Sequence, residues 1–224
     1  MIALKGVSKV FRTDIVETYA LRGFELSIAS GEFVAITGHS GSGKTTLLNV
    51  IGLLEEFNTG SYRLDGDDIK ELADNQRSRI RNRKIGFVFQ GFNLIPNLNI
   101  YDNVEAPLLY RRMPAAEREK RITSSLERVG LTSRMRHFPA QLSGGQQQRA
   151  AMARAISGDP RVILADEPTG NLDTTMSSQI MDLLQSINDQ GTTILMVTHN
   201  EELAQRANRV VHMVDGQIAA DGGR

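Results

Sequence analysis

Apolar positions change their period along the chain, and each change predicts a different layer. Early on they alternate. Val7, Lys9 and Phe11 share one parity, and Phe24, Leu26 and Ile28 alternate with Glu25, Ser27 and Ala29. A period of two predicts strands buried on one face, so residues 2–11 read as one or two strands and 24–28 as another. Residues 61–64 followed by Asp65-Gly66 read as a strand reaching a hairpin turn. These segments predict a small antiparallel sheet wrapped around the glycine-rich loop that follows residue 37. Next come short, mostly apolar runs at 32–37, 85–89, 161–165, 192–198 and 210–214, the last turning back through Asp215-Gly216 towards Ile218. Helical patterns separate them, over 47–51, 69–82 and 177–188, the last with Ile180, Leu183, Leu184 and Ile187 on one face. Continuous apolar strands alternating with helices imply a mainly parallel sheet. Over about residues 99–157 the period stays helical, broken at Pro107, Pro114 and Pro139. That stretch reads as a helical subdomain inserted into a single domain of residues 1–224.

Charge and composition narrow the function classes. Lys plus Arg and Asp plus Glu number 26 each, which argues against nucleic-acid binding through a broad basic surface. The run Arg77, Arg79, Arg81, Arg83, Lys84 reads as a solvated helix face. Cysteine is absent, which excludes disulfides and thiolate metal sites and suits a reducing compartment. Residues 1–9 lack the apolar core of a signal peptide, and the longest apolar runs, such as 194–197, fall far short of the roughly 20 residues that span a bilayer. The chain is therefore expected to be soluble, with any membrane-spanning part supplied by another polypeptide.

The chemistry centres on Gly38-His39-Ser40-Gly41-Ser42-Gly43-Lys44-Thr45-Thr46, a phosphate-binding loop of the form G-x-x-x-x-G-K-[ST]. A strand leads in and a helix leads out, the context that separates the motif from a chance glycine turn. Its glycines let backbone N–H groups face phosphate oxygens, and the helix N-terminus adds partial positive charge. Lys44 would reach the β- and γ-phosphates, and the Thr45 hydroxyl would ligate Mg²⁺. Ligand groups in open α/β sheets gather beyond the carboxyl ends of strands, where Gln90, Asp166-Glu167 and His199 are expected. Val162-Ile163-Leu164-Ala165-Asp166 is a Walker B pattern. Asp166 would hold Mg²⁺ through its water shell, and Glu167 would act as general base on the attacking water. Leu142-Ser143-Gly144-Gly145-Gln146 offers a second phosphate cradle, with Ser143 capping the helix it opens. Two cradles can embrace one triphosphate only if they face each other across it, which two copies arranged head to tail would achieve twice.

In this order the motifs resemble the ATP-binding cassette (ABC) ATPases, over essentially the whole chain. The resemblance implies an ABC ATPase fold: α/β, a P-loop NTPase core with a mainly parallel sheet, an N-terminal antiparallel β subdomain and an inserted α-helical subdomain. The balanced charge leads us to expect no nucleic-acid partner; the resemblance implies ATP and Mg²⁺ as ligands and an ATP-sandwich homodimer. It assigns Phe11 to adenine stacking, with Tyr19 the other aromatic nearby. Gln90 would touch Mg²⁺ and water, His199 would contact the γ-phosphate, and Asp173 of Asn171-Leu172-Asp173 would lie across the dimer interface. Residues 86–90, 92–96, 103–104 and 107–108 resemble the lipoprotein-releasing and macrolide-exporting type. That subfamily implies a transmembrane permease contacted near residues 90–96, at the cytoplasmic face of the inner membrane. Gly91 stands where that type leads us to expect a larger residue, loosening the loop after Gln90. A cassette that controls a cell-wall hydrolase through a membrane partner, and a soluble non-transport ABC ATPase, are the alternatives.

Overall fold

The computed structural model describes residues 1–13 and 16–223. A four-stranded antiparallel sheet is built from β1 (Ile2–Arg12), β2 (Glu17–Ile28), β4 (Thr59–Leu64) and β5 (Asp67–Asp68), in the order β2-β1-β4-β5. A six-stranded sheet is built from β3 (Phe33–Thr37), β6 (Ile85–Phe89), β7 (Val162–Asp166), β8 (Thr193–Val197), β9 (Arg209–Val214) and β10 (Gln217–Gly223), in the order β10-β9-β3-β8-β7-β6. Every pairing in it is parallel except β9 with β10. The expected antiparallel and parallel layers are thus both present, and β2 is longer than the 24–28 segment read from alternation.

The central strands are continuously apolar because both faces are covered. Val34 and Ile36 of β3 face one core, shared with Phe24 and Tyr62 of the antiparallel sheet and with Leu47, Leu48 and Ile51 of α1 (Lys44–Ile51). Phe33 and Ala35 face the other, shared with Met152 of α5 (Gly144–Ile156) and Leu184 of α6 (Thr174–Asn188). Tyr62 is fully buried, and its hydroxyl donates to Ile51 O at 2.7 Å, pinning the end of α1 to the antiparallel sheet.

The helix expected over 69–82 starts later, as α2 (Asp74–Lys84). The preceding residues serve the sheet: β5 pairs with β4, and Ile69, buried, donates its N–H to Tyr62 O at 2.9 Å. The basic run on α2 is only partly a solvated face. Arg77 pairs with Glu56, Arg81 donates to Leu53 O at 2.7 Å, and Lys84 lies 3.1 Å from both Asp65 and Asp67. Arg79 and Arg83 are exposed. The helical middle contains α3 (Ile100–Glu105), α4 (Ala115–Arg128) and α5, with 3₁₀ turns at Ala106–Leu108, Thr132–Arg134 and Pro139–Gln141. Its three prolines fall at breaks: Pro107 and Pro139 within 3₁₀ turns, Pro114 as the N-cap of α4. α7 (Glu201–Ala204) was not anticipated. Among the described residues no helix is long and apolar enough to cross a membrane.

Candidate active site

Sheet order brings distant parts of the sequence into one row. β3, β8, β7 and β6 are consecutive parallel neighbours, with Ile36 opposite Val197, Val197 opposite Asp166 and Asp166 opposite Phe89. Their carboxyl ends therefore emerge side by side. They carry, in spatial order, the glycine loop after Thr37, His199, the pair Asp166-Glu167, and Gln90.

The loop is shaped by its surroundings. Gly38 has φ +147°, and a Cβ there would lie 2.2 Å from Met213 O. Gly43 has φ +97°, and a Cβ there would lie 2.3 Å from Ala20 O. Gly216, in the turn between β9 and β10, donates its N–H to Ser42 O at 2.9 Å, and Arg22 N–H of β2 donates to Gly216 O at 3.0 Å. The antiparallel sheet and the β9–β10 turn thus clasp the loop from two sides. Within it, Lys44 Nζ donates to Gly38 O at 2.8 Å and His39 O at 2.7 Å, with Ser42 Oγ at 3.4 Å. Burial pulls the Lys44 pKa down, opposed by the charges of Glu167 and then Asp166. This ammonium is withdrawn from solvent and bonded to carbonyls and a hydroxyl alone, so a phosphate group is the charge partner its setting suits. Ser42 is buried, whereas His39, Ser40, Gly41 and Thr45 are exposed and Thr46 is partly so. His39 Nδ1 lies 2.8 Å from Ser40 O, and its Nε2 lies 3.7 Å from Asp215 Oδ1.

Asp166 ends β7. Burial raises its pKa, the Glu167 charge adds to the rise, and Lys44 opposes it. A carboxylate penalised in this way, with the exposed Thr45 hydroxyl, is a hard-oxygen set that fits Mg²⁺ completed by phosphate and water oxygens. No group of three or more His, Cys, Asp or Glu is gathered as a metal site among the described residues. Glu167 sits at φ +47°, in the left-handed region. Its N–H donates to Val197 O at 2.9 Å, and its Oε1 lies 2.9 Å from His199 Nδ1. The carboxylate is mostly buried while the imidazole is largely exposed, so His199 faces the solvent side of the pair.

Gln90 and Asn171 are reciprocally bonded. Gln90 Nε2 donates to Asn171 Oδ1 at 3.1 Å, and Asn171 Nδ2 donates to Gln90 O at 3.0 Å. The sequence offered no signal for this pairing across 81 positions. Arg154 was also missed. It donates to Phe92 O at 2.9 Å and to Asn93 O, where Phe92 and Asn93 both have positive φ. At Gly91 an added Cβ would meet only Asn93 Oδ1 at 3.5 Å, ordinary contact, so an alanine methyl would fit there.

Ser143 caps α5 as anticipated, in a reciprocal box with Gln146: Gln146 N–H donates to Ser143 Oγ at 3.3 Å, and Ser143 N–H to Gln146 Oε1 at 3.1 Å. Gly145 packs where a Cβ would lie 2.7 Å from Met176 Sδ, and Gly144 faces Leu172, Phe92 and Asn171. Asp173 is the N-cap of α6, accepting the Met176 N–H at 2.8 Å. Among the described residues no hydrogen bond joins 143–146 to 38–46. Phe11 is 41% exposed with Lys9 Nζ 4.8 Å from its ring centre, and Tyr19 is 48% exposed with Arg22 at 5.3 Å.

Three comparisons bear on these features. A family model described as ABC transporter matches residues 21–170. YknY, an ABC transporter ATP-binding protein of Bacillus subtilis (strain 168), is 48% identical over 226 residues, covering 100% of this chain and 98% of that protein. The macrolide export ATP-binding/permease protein MacB of Brucella melitensis is 46% identical over 221 residues, covering 99% of the chain but 34% of MacB. The chain thus spans about a third of the length of that relative. A solved dimer of the ATP-binding cassette MJ0796, in a post-hydrolysis state bound to ADP and Pi, is similar with a TM-score of 0.91 and 43% identity, covering 100% of this chain and 98% of that one.

Proposed function

The chain belongs to the ABC transporter family and is an ATP hydrolase, and from that premise we propose that it powers a transmembrane permease for export, lipoprotein extraction or force transmission. It works as a head-to-tail homodimer at the cytoplasmic face of the inner membrane. The observation that carries the catalytic part is the Glu167–His199 pair at 2.9 Å, beside the desolvated Lys44 and Asp166.

The residues divide the work. Lys44 exchanges its carbonyl partners for β- and γ-phosphate oxygens, and the loop N–H groups of residues 38–46 wrap the phosphates. Thr45, Gln90 and Asp166 would hold Mg²⁺, and the ion, when bound, would neutralise charge on the phosphate oxygens. Glu167 accepts the proton of the attacking water, and His199 contacts the γ-phosphate while orienting that carboxylate. Phe11 stacks on adenine. Ser143, Gly144, Gly145 and Gln146 serve the nucleotide of the opposite copy, and Asp173 lies at the same interface.

The permease surface adjoins residues 90–96. A groove of about 1320 Å³ runs between α2, β6 and residues 107–113, with Phe87, Phe89 and Tyr110 among its walls. It also holds Arg79, Arg81, Arg83, Arg111, Arg112 and Arg154, none ion-paired with a carboxylate among the described residues. In a chain of zero formal net charge, this apolar, cationic groove suits a cytoplasmic permease segment with acidic and apolar side chains.

The test is a pull-down from detergent-solubilised membranes of the source cell, using tagged Glu167→Gln with ATP·Mg. Recovery of a membrane protein with few spanning helices and a large external domain is expected. Recovery of ribosomes, nucleic acid or soluble proteins alone would overturn the transporter assignment.

A further inference from the structure

Gln148 lies in the second turn of α5, fully buried. Its Nε2 donates to Pro168 O at 2.5 Å, while its Oε1 is buried without a donor among the described residues. Pro168 follows Glu167, so the bond reaches the backbone next to the carboxylate taken as general base. That backbone is unusual, because Glu167 holds a left-handed φ of +47° without being glycine. Such a conformation persists only where its surroundings over-determine it. Three contacts do so. Glu167 N–H is fixed to Val197 O at 2.9 Å, Gly170 N–H donates to Glu167 O at 3.0 Å, and Gln148 holds the carbonyl of the next residue. The first two come from β8 and from the segment's own turn. Only the third comes from α5, the helix opened by Ser143-Gly144-Gly145.

We propose that Gln148 is a positioning residue for Glu167, transmitting the placement of α5 to the catalytic carboxylate through the Pro168 carbonyl. The proposal rests on Glu167 being the general base. A half-satisfied buried amide is a poor device for stability, because burying an acceptor without a donor opposes folding. An unbranched apolar side chain of similar length should therefore be tolerated in folding, yet leave Pro168 O and the Glu167 turn unheld. Displacing a base by a fraction of an ångström lowers turnover without touching the phosphate loop.

The experiment compares Gln148→Met, Glu167→Gln and the double variant as full-length chains. ATPase kinetics, ADP affinity by calorimetry and the thermal midpoint are measured for each. We expect Gln148→Met to lower kcat about tenfold with KM and ADP affinity within about twofold of wild type, the pattern of an interaction made in the transition state. The double variant should fall no more than about twofold below Glu167→Gln, because residues acting as one unit are non-additive. Wild-type kcat in Gln148→Met would overturn the proposal, as would a further tenfold loss in the double variant. Wild-type turnover in Glu167→Gln would instead remove the base assignment on which the proposal rests. Should Gln148→Met not fold, exchange of the Gln148 side-chain amide in wild type decides: slow exchange supports the buried bond, and exchange at the rate of exposed glutamines overturns it.

Discussion

Two glycines of the phosphate loop have similar backbone angles and should respond differently to the same substitution. Gly41 has φ +81° and nothing within 4 Å of an added Cβ. Gly43 has φ +97°, and its added Cβ would meet Ala20 O at 2.3 Å and Met213 Cε at 2.9 Å. An alanine at either site carries backbone strain of about 1–3 kcal/mol. At Gly43 the backbone of β2 must also retreat by about 1 Å to restore a normal carbon–oxygen contact. That shift loads the Arg22 N–H to Gly216 O and Gly216 N–H to Ser42 O bonds, which hold the clasp closed. With overpacking and two weakened hydrogen bonds added, Gly43→Ala should cost on the order of 5 kcal/mol, against about 2 kcal/mol for Gly41→Ala. For a domain of this size each kcal/mol moves the thermal midpoint by about 2–4 °C. Calorimetric melting of the nucleotide-free chains should place Gly43→Ala about 10 °C below Gly41→Ala. Midpoints within about 3 °C of each other would show that the clasp does not press on the loop and that positive φ alone requires both glycines.

Other substitutions test the site's parts. Glu167→Gln should keep nucleotide binding while kcat falls about 10²–10⁴-fold; steady-state ATPase at a near wild-type rate would remove it as base. Lys44→Ala should weaken ADP and ATP binding in calorimetry, and unchanged affinity would refute the phosphate role of the loop. Asp166 has a raised folded-state pKa, so its penalty on the folded state grows as pH rises from the unfolded towards the folded value and persists above it. Asp166→Asn should therefore raise the nucleotide-free melting midpoint at neutral pH and gain little at acid pH, while losing Mg²⁺-dependent hydrolysis. Asn171→Ala should release Gln90 and lower turnover with ADP affinity unchanged; loss of ADP affinity would contradict the separation of the two regions.

Much of the site was legible because its residues are fixed by local chemistry. Gly38, Gly43 and Lys44 form a contiguous motif whose backbone angles only glycine takes easily, and Asp166-Glu167 and His199 follow recognisable apolar strands. What remained hidden depends on neighbours far along the chain. Gln90–Asn171, Gln148–Pro168 and Arg154 with the 92–93 carbonyls are side-chain contacts that no local period encodes. The helix boundary at Asp74 was misplaced for the same reason. Ile69 has a helix-compatible spacing, but its N–H belongs to Tyr62 of a neighbouring strand.

The order of strands around β3 has a consequence for biosynthesis. β3 emerges among the first 37 residues, yet both strands that flank it, β8 and β9, begin only at Thr193 and Arg209. The turn that clasps Ser42 comes later still, at Gly216. A nascent chain on the ribosome thus carries its phosphate motif without the partners that shape it until β8, β9 and the Gly216 turn have been made. Nucleotide affinity should switch on abruptly once β8, β9 and the Gly216 turn are released, and the exposed β3 is the segment a chaperone would need to shield until then.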